Sequence, residues 1–586
     1  MGRIYISAGH KSSGKTTLSI GLCAALSQQG KRVQPFKKGP DYIDPLWLSK
    51  ASSINNQRQC YNLDFNTQTT DEILDTLSRY ESVSDISLIE GNKGLYDGVA
   101  LDGSDSNAAM AKLTKTPVIL VIDARGVTRG VAPLLLGYQA FDTDINIAGV
   151  IYNFCGGARH EQKLRAVTEQ YTDIPVFGML RKSLSMDLAE RHLGLMPSNE
   201  CKDAKQKISE IAQFVTGSVD LSKVIDSSNE LENTQTNDSD IPLSHRFKKP
   251  SQSLRVSRIS NTVKNPRDIT DSHKKVRIGI CEDAAFGFYY ADDKQALIEA
   301  GAELVSIDTL HDAALPKDLD GLFIGGGFPE TQMKSLEANH SMRNSIHLAI
   351  ESGLPTYAEC GGLMYLSQSI QWKGQTAEMV GIIPCVAKMN RKPQGRGYVR
   401  LKETSAMPWD NIPKMHSQSS EMNDDIYAHE FHYSSLCLQQ GSQNGSQQGS
   451  TQQSPITNTQ KDTGLLHAKG KFAYKVERGV GITGEYDGWV YKNLVATYSH
   501  LRHTKNNPWA TRFVSFVRSK VDSLNLGNEQ GNNQGNNQEK ELSDELSDVS
   551  SNELSFESVH EFGHELNDDL VKNVSLDTTV IEKEYD

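Results

Sequence analysis

Apolar and polar positions along the first 200 residues alternate as short strands and amphipathic helices would require. Ile4–Ala8, Ser87–Glu90, Val118–Asp123 and Ile147–Tyr152 are short apolar runs separated by stretches of helical period. Runs buried on both faces, joined by helices, predict a doubly wound parallel sheet. From residue 201 the pattern fades through a helical remnant into the polar stretch Ser227–Pro250 and then Ser251–Lys275. Residues 201–275 are therefore expected to be a partly disordered linker. Order resumes with the strand-like run Val276–Cys281, and a second α/β pattern, including Gly321–Gly325 and Leu354–Ala358, continues to Arg518. It is interrupted at 439–461 by Gln, Ser, Gly and Asn, the composition of a disordered surface insertion. Four segments result: a first α/β domain at 1–200, the linker, a second α/β domain at 276–518, and a disordered tail at 519–586.

The chain has 586 residues, of which 37% are hydrophobic, and this suits two sizeable cores plus unfolded segments. The net charge of −12 argues against a nucleic-acid partner. Its distribution is uneven. Residues 521–586 hold 17 acidic residues and three lysines, whereas the rest of the chain holds 58 bases and 56 acids. Arg246–Lys275 carries nine bases and two acids, so linker and tail are expected to attract one another. No apolar run approaches the ~20 residues of a membrane span, so no membrane partner is expected. No signal-peptide pattern opens the chain. Eight cysteines without a C-x-x-C pair suit a reducing cytoplasm, the expected location.

Gly9-His-Lys-Ser-Ser13-Gly14-Lys15-Thr16 fits G-x-x-x-x-G-K-[ST] between a predicted strand and a predicted helix, Thr17–Gln29. The glycines let backbone N–H groups wrap a phosphate, the helix N-terminus adds positive potential, and Lys15 neutralises charge. The Thr16 hydroxyl is a ligand for Mg²⁺, which needs further hard oxygens. Two loops supply them at the ends of predicted strands. Gly39-Pro-Asp41-Tyr-Ile-Asp44-Pro follows Val33–Lys37, and Glu90 is followed by Gly-Asn-Lys93-Gly-Leu-Tyr-Asp97-Gly. Ligands in open α/β sheets lie beyond such strand ends, so both loops can converge on the phosphate cradle.

A second centre is predicted at Tyr357-Ala-Glu-Cys360-Gly361-Gly-Leu. Strand, sharp turn and helix expose the Cys360 sulfur at a helix N-terminus, which favours the thiolate. The turn Gly325-Gly326-Gly327 after another strand can offer N–H groups to an oxyanion. The general base is sought among His429, His432, His500 and His503. His500 follows the apolar run Leu494–Tyr498. The His429/His432 pair has metal-like spacing but no third ligand, which favours structural or substrate-side roles.

Together these motifs resemble the cobyrinic acid a,c-diamide synthase family of tetrapyrrole amidases. The resemblance is carried by Ser7–Thr17, Val33–Pro45, Glu90–Gly98, Asp283–Tyr290, Gly325–Glu330, Tyr357–Leu366, His429–Ser434 and Val495–His500. It implies a dethiobiotin-synthetase-like P-loop domain followed by a class I glutamine amidotransferase domain. Cys360 would attack the amide of glutamine with His500 as base, and Gly326, Gly327 and Gly361 would line the oxyanion and glutamine site. Gly9, Ser13, Gly14, Lys15, Thr16 and Thr17 would bind ATP, with Asn153 reading adenine. Thr16, Asp41 and Glu90 would hold Mg²⁺, and Asp44, Lys93 and Asp97 would lie near the reacting carboxylate.

The implied reaction is ATP-dependent amidation of the a and c acetates of a tetrapyrrole polycarboxylate, cobyrinate first. Asn92 and Lys93 stand where the family commonly has apolar residues, which keeps siroheme and sirohydrochlorin open as substrates. Arg391-Lys392 and Arg396 add cations suited to a polycarboxylate. Two other readings compete: a cobyric acid synthase, and a partitioning-type ATPase switch with an appended binding domain. A homodimer is left open.

Overall fold

The computed structural model describes residues 2–53, 58–183, 186, 188–191, 194–229, 275–410, 424–437 and 470–523. Most of the expected linker, the whole 439–461 insertion and the tail beyond 523 lie outside the described residues.

β1 (Gly2–Ala8) occupies the middle of the first sheet, paired in parallel with β4 (Ile86–Gly94) on one side and β5 (Val118–Asp123) on the other. Both of its faces are covered, and the Ile-Tyr-Ile run answers that demand. β2 (Val33–Lys38), β3 (Tyr61–Leu63), β6 (Ile147–Cys155) and β7 (Val176–Arg181) complete the order β3-β2-β4-β1-β5-β6-β7, parallel throughout. The α/β doubly wound expectation matches this sheet. Helix α1 (Lys15–Gln28) is buried almost all round, with Leu18, Ile20, Leu22, Cys23 and Leu26 in the core.

One boundary is corrected. The helix Ala204–Ser218, which the sequence reading assigned to the linker, belongs to the first domain. Its Ile208, Ile211, Ala212 and Val215 repeat at helical spacing, are buried, and share a core with α1. A second helix, Leu221–Ser228, follows; the Asp220 side chain caps it by accepting from the Lys223 N–H.

The second sheet combines two halves. Its parallel half runs 302–307, 276–281, 321–324, 356–359, 494–497, and an antiparallel half continues through 486–491, 471–478, 395–403 and 426–432. The helix Gly361–Leu366 leads into a separate four-stranded sheet, 375–378, 367–372, 383–389, 434–437. What positions chemistry is the parallel half. Strand 356–359 lies between 321–324 and 494–497, so the residues following all three strands emerge together.

The two domains share one compact unit and meet at the carboxyl ends of their sheets. Tyr42 of the first domain is buried with Phe288, Tyr290 and Phe328 of the second in one apolar cluster. Polar links surround it. The Arg502 guanidinium donates to the Asn62 carbonyl at 2.5 Å, Asn66 Nδ2 to the Ala428 carbonyl at 3.1 Å, and the Lys505 N–H to Glu72 at 2.7 Å.

Candidate active sites

The phosphate cradle is built by a turn that no side chain could enter. Gly14 has φ +78°, and a Cβ there would stand 2.1 Å from Asn153 Nδ2. Asn153, at the end of β6, donates to the Ser13 carbonyl at 3.0 Å and braces the loop from behind. That contact gives it a structural task beside the adenine-reading one the resemblance implied. Gly9 continues β1 through its N–H to the Val121 carbonyl, and the Tyr138 hydroxyl donates to the Gly9 carbonyl at 2.5 Å.

Lys15 and Thr16 open α1 and point at β4. Lys15 Nζ and Thr16 Oγ1 each donate to Glu90 Oε1 at 2.7 Å, and Lys37 Nζ, from the end of β2, reaches the same oxygen at 3.0 Å. Lys37 also pairs closely with Asp44 and stands 3.8 Å from Asp41. Burial would raise the Glu90 pKa, but Lys15 and Lys37 overwhelm it and hold the carboxyl down to about 2. Burial, backed by Asp41, pushes Asp44 up to about 6.

The fit to a divalent cation is specific. Glu90 Oε2 is buried without a hydrogen-bond partner, an oxygen with negative charge to share. Thr16 Oγ1 lies 3.2 Å from Asp44 Oδ2, so the structure brings Asp44, rather than Asp41, to the threonine. Asp41 instead accepts from the Asp44 N–H at 3.1 Å and shapes the loop. Among the described residues no three His, Cys, Asp or Glu side chains converge to hold a metal by themselves. A cation here would therefore be shared between Thr16, the nearby carboxylates and nucleotide oxygens.

Lys93, at the exposed end of β4, and Asp97, in the turn that follows, stand apart from that cluster. Asp97 accepts from the Gly94 N–H at 3.1 Å, while Lys93 is open to solvent. Lys38 faces the same region and donates to the Asp105 carbonyl. Burial, aided by the Lys93 and Lys37 charges, lowers it to about 8.

In the second domain Cys360 occupies a strained elbow, φ +47° and ψ −96°, between strand 356–359 and the helix Gly361–Leu366. Its N–H donates to the Thr497 carbonyl at 2.7 Å, which pins the elbow to the neighbouring strand. That strand leads to His500, which is buried close enough to Cys360 for the thiol to act on its charge. Gly326 must be glycine, because a Cβ would lie 2.6 Å from His500 Cε1. The Gly327 N lies 2.9 Å from where a Gly361 Cβ would stand, so the N–H that could meet an oxyanion borders the elbow.

His500 is the one of the four candidate bases whose charge Cys360 acts on. His429 stacks on it at 4.9 Å between ring centroids and accepts or donates with the Tyr290 hydroxyl at 3.2 Å. His432 packs on Tyr498 at 3.9 Å and neighbours Glu430, and His503 turns to the Ala510 N–H. The residue that sequence reasoning missed is Tyr42, whose ring centre lies 5.1 Å from that of His500. Its position between the two aspartates of the Gly39–Pro45 loop was the available signal.

Comparison with known proteins agrees with this division. The CobQ/CobB/MinD/ParA nucleotide binding domain family matches residues 4–195, and the CobB/CobQ-like glutamine amidotransferase domain family matches 277–508. A cobyrinate a,c-diamide synthase of Magnetococcus marinus is 37% identical over 88% of this chain and 97% of its own length. Those of Methanosarcina acetivorans and Listeria innocua are 35% and 36% identical, over 85% and 74% of this chain and 92% and 87% of their own lengths. Fold and paired sites thus define a glutamine-dependent amide-forming ligase driven by a nucleotide. The chain belongs to the cobyrinate a,c-diamide synthase family. Among the described residues no helix is long and apolar enough to cross a membrane.

Proposed function

We propose that the chain converts the a and c acetate carboxylates of cobyrinate to amides, in cobalamin biosynthesis, using ATP and the amide nitrogen of glutamine. The observation that carries this is the Gly39–Pro45 loop. It gives Asp41 and Asp44 to the phosphate cradle and Tyr42 to the wall of the Cys360–His500 site. The two centres are built as parts of one reaction.

In the second domain the Cys360 thiolate attacks the glutamine side-chain carbonyl, whose oxygen is received beside the Gly327 N–H. His500 protonates the departing ammonia, and the thioester is then hydrolysed by water that gives its proton to His500. In the first domain a substrate carboxylate oxygen attacks the γ-phosphorus of ATP, releasing ADP and leaving an acyl phosphate. Ammonia attacks the acyl carbon and displaces phosphate. Lys15, Lys37 and the cradle N–H groups offset the charge that gathers on the transferring phosphoryl. A magnesium ion held by Thr16, Glu90 and the Asp41/Asp44 pair would add to that neutralisation. The Tyr42, Phe288, Tyr290 and Phe328 cluster lies between the centres and keeps water from both.

The family name supports cobyrinate, and the exposed Lys93 and Arg396 suit a substrate rich in carboxylates. The eight free thiols suit a reducing cytoplasm. Mass spectrometry of cobyrinate, sirohydrochlorin and siroheme after incubation with enzyme, Mg-ATP and glutamine decides the substrate. Two amides on cobyrinate are expected; amidation of another macrocycle alone, or four further amides, would overturn the assignment. Cys360→Ala should lose glutamine use while keeping synthesis from ammonium, and Lys15→Ala should retain glutamine hydrolysis without product. Loss of both activities in folded C360A would sink the two-site scheme.

A further inference from the structure

We infer that Glu359, the residue preceding the nucleophile, is the carboxylate that orients His500 and supports its protonated form. The inference rests on Cys360 and His500 being the glutaminase pair. Strands 356–359 and 494–497 run parallel with Glu359 opposite Thr497, so the carboxylate leaves its strand beside the segment that carries His500. The two carboxylate oxygens have different tasks. Oε1 accepts from the Tyr357 hydroxyl at 2.6 Å and from the Leu501 N–H at 3.0 Å, which fixes the side chain. Oε2 faces His500 Nδ1 at 3.4 Å. Nδ1 is buried and, among the described residues, has no hydrogen-bond partner, so this oxygen is the acceptor that faces it.

Among the described residues no other acid pairs with that nitrogen. Two positions beyond His500 stands Arg502, whose guanidinium turns away to Asp292 at 2.7 Å and to the Asn62 carbonyl. Asp487 is taken up by the Tyr498 and Ser499 N–H groups at 3.0 and 2.9 Å, and Asp293 by the His503 N–H and Trp509 Nε1. The groups facing His500 are thus Cys360 and Glu359 from the elbow, His429 from strand 426–432, and Tyr42 from the first domain. His429 is held neutral by burial and by the positive charges of His500 and Arg502.

Burial alone would keep His500 neutral, yet the neighbouring Cys360 and Glu359 lift it to about 10. The 3.4 Å contact between Glu359 and His500 can shorten once glutamine fills the site. Glu359 is a positioning residue, since it meets neither glutamine nor the sulfur's target.

The test uses the full-length enzyme with glutamate release and ammonium-dependent amidation read side by side. Glu359→Gln keeps the shape and the acceptor for Tyr357 and Leu501 but removes the charge. We expect its kcat for glutamine hydrolysis to fall about 100-fold while synthesis from ammonium is unchanged. Because the imidazolium loses its partner, the limb on which activity falls with rising pH should move down by about one unit. Glu359→Asp keeps the charge and should keep the limb where it is in the wild type. Wild-type kinetics and pH profile in E359Q would overturn the inference while leaving the pair intact. Glutamine hydrolysis persisting in C360A would instead overturn the pair itself.

Discussion

Tyr42 and His500 lie with ring centres 5.1 Å apart, although one belongs to the nucleotide half and the other to the glutamine half. A second link runs beside them. Arg502 holds the Asn62 carbonyl, and the Asn62 amide donates to the Gly39 and Asp41 carbonyls at 2.9 and 2.8 Å. Movement of the Gly39–Pro45 loop on binding nucleotide and substrate must therefore be felt at His500. Glutamine hydrolysis should be stimulated by Mg-ATP with cobyrinate, and Tyr42→Ala should abolish most of that stimulation. A coupling of this kind is worth about 5- to 150-fold. The measurement is the ratio of glutamate release rates with and without Mg-ATP and cobyrinate: well above one in the wild type and close to one in Y42A. An unchanged ratio would show that Tyr42 is packing alone.

Glu90→Gln should separate the halves from the other side. Its carboxylate receives Lys15, Thr16 and Lys37 on one oxygen, so removing the charge leaves two buried lysines short of a partner. Amide synthesis from glutamine or ammonium should drop by 100-fold or more in order of magnitude, about what losing one preorganised electrostatic contact costs, while glutamine hydrolysis survives. Stability has a sign as well. Glu90 is held down to about 2, so its charge stabilises the fold above the ordinary glutamate range and loses that effect as pH falls from about 4.5 toward 2. Urea unfolding should show wild type ahead of E90Q near neutrality and the gap closing across that window.

Much of this arrangement was legible because its signals are local. The Gly9–Thr16 loop, the Cys360 elbow and the strand runs of the parallel sheet each lie within about ten consecutive residues, where period and turn chemistry operate. The antiparallel half was harder. Strand 395–403, Gly-Arg-Gly-Tyr-Val-Arg-Leu-Lys-Glu, keeps charged residues on its outward face and shows few apolar ones. Helix 204–218 was hidden by its polar surroundings, although Ile208, Ile211, Ala212 and Val215 mark its buried face. Tyr42 could not be placed at all from local pattern, since its partner is set by how two sheets face one another. The resemblance already pointed to His500 among the four histidines, and the register of strands 356–359 and 494–497 supplies the physical reason by setting Thr497 opposite Glu359.

Gly326→Ala is a steric test of that register. The added methyl would stand 2.6 Å from His500 Cε1, closer than packed atoms allow, so the imidazole must swing away from Cys360. A displacement of about 1 Å costs on the order of 100-fold in rate. Glutamate release should fall by that factor with ammonium-dependent synthesis preserved. Full glutaminase activity in G326A would mean that His500 is not held where the structure has it.

The charge of the chain gives the last prediction. Residues 521–586 hold 17 acidic residues against three lysines, while the rest of the chain is close to balance at 58 bases and 56 acids. Among the described residues, the groups that form the two centres all precede that tail, and the last core residue is Val517, in the helical stretch 509–523. Truncation after residue 523 should leave kcat and KM for glutamine and ATP within about twofold of the full chain, the range expected where no contact to a reacting group is lost. Solubility should respond instead, because a catalytic body near zero net charge has little self-repulsion. Light scattering of the truncated enzyme should show association at low salt that the full chain resists. A large fall in turnover on truncation would assign the tail to the reaction and overturn this division between catalytic body and acidic appendage.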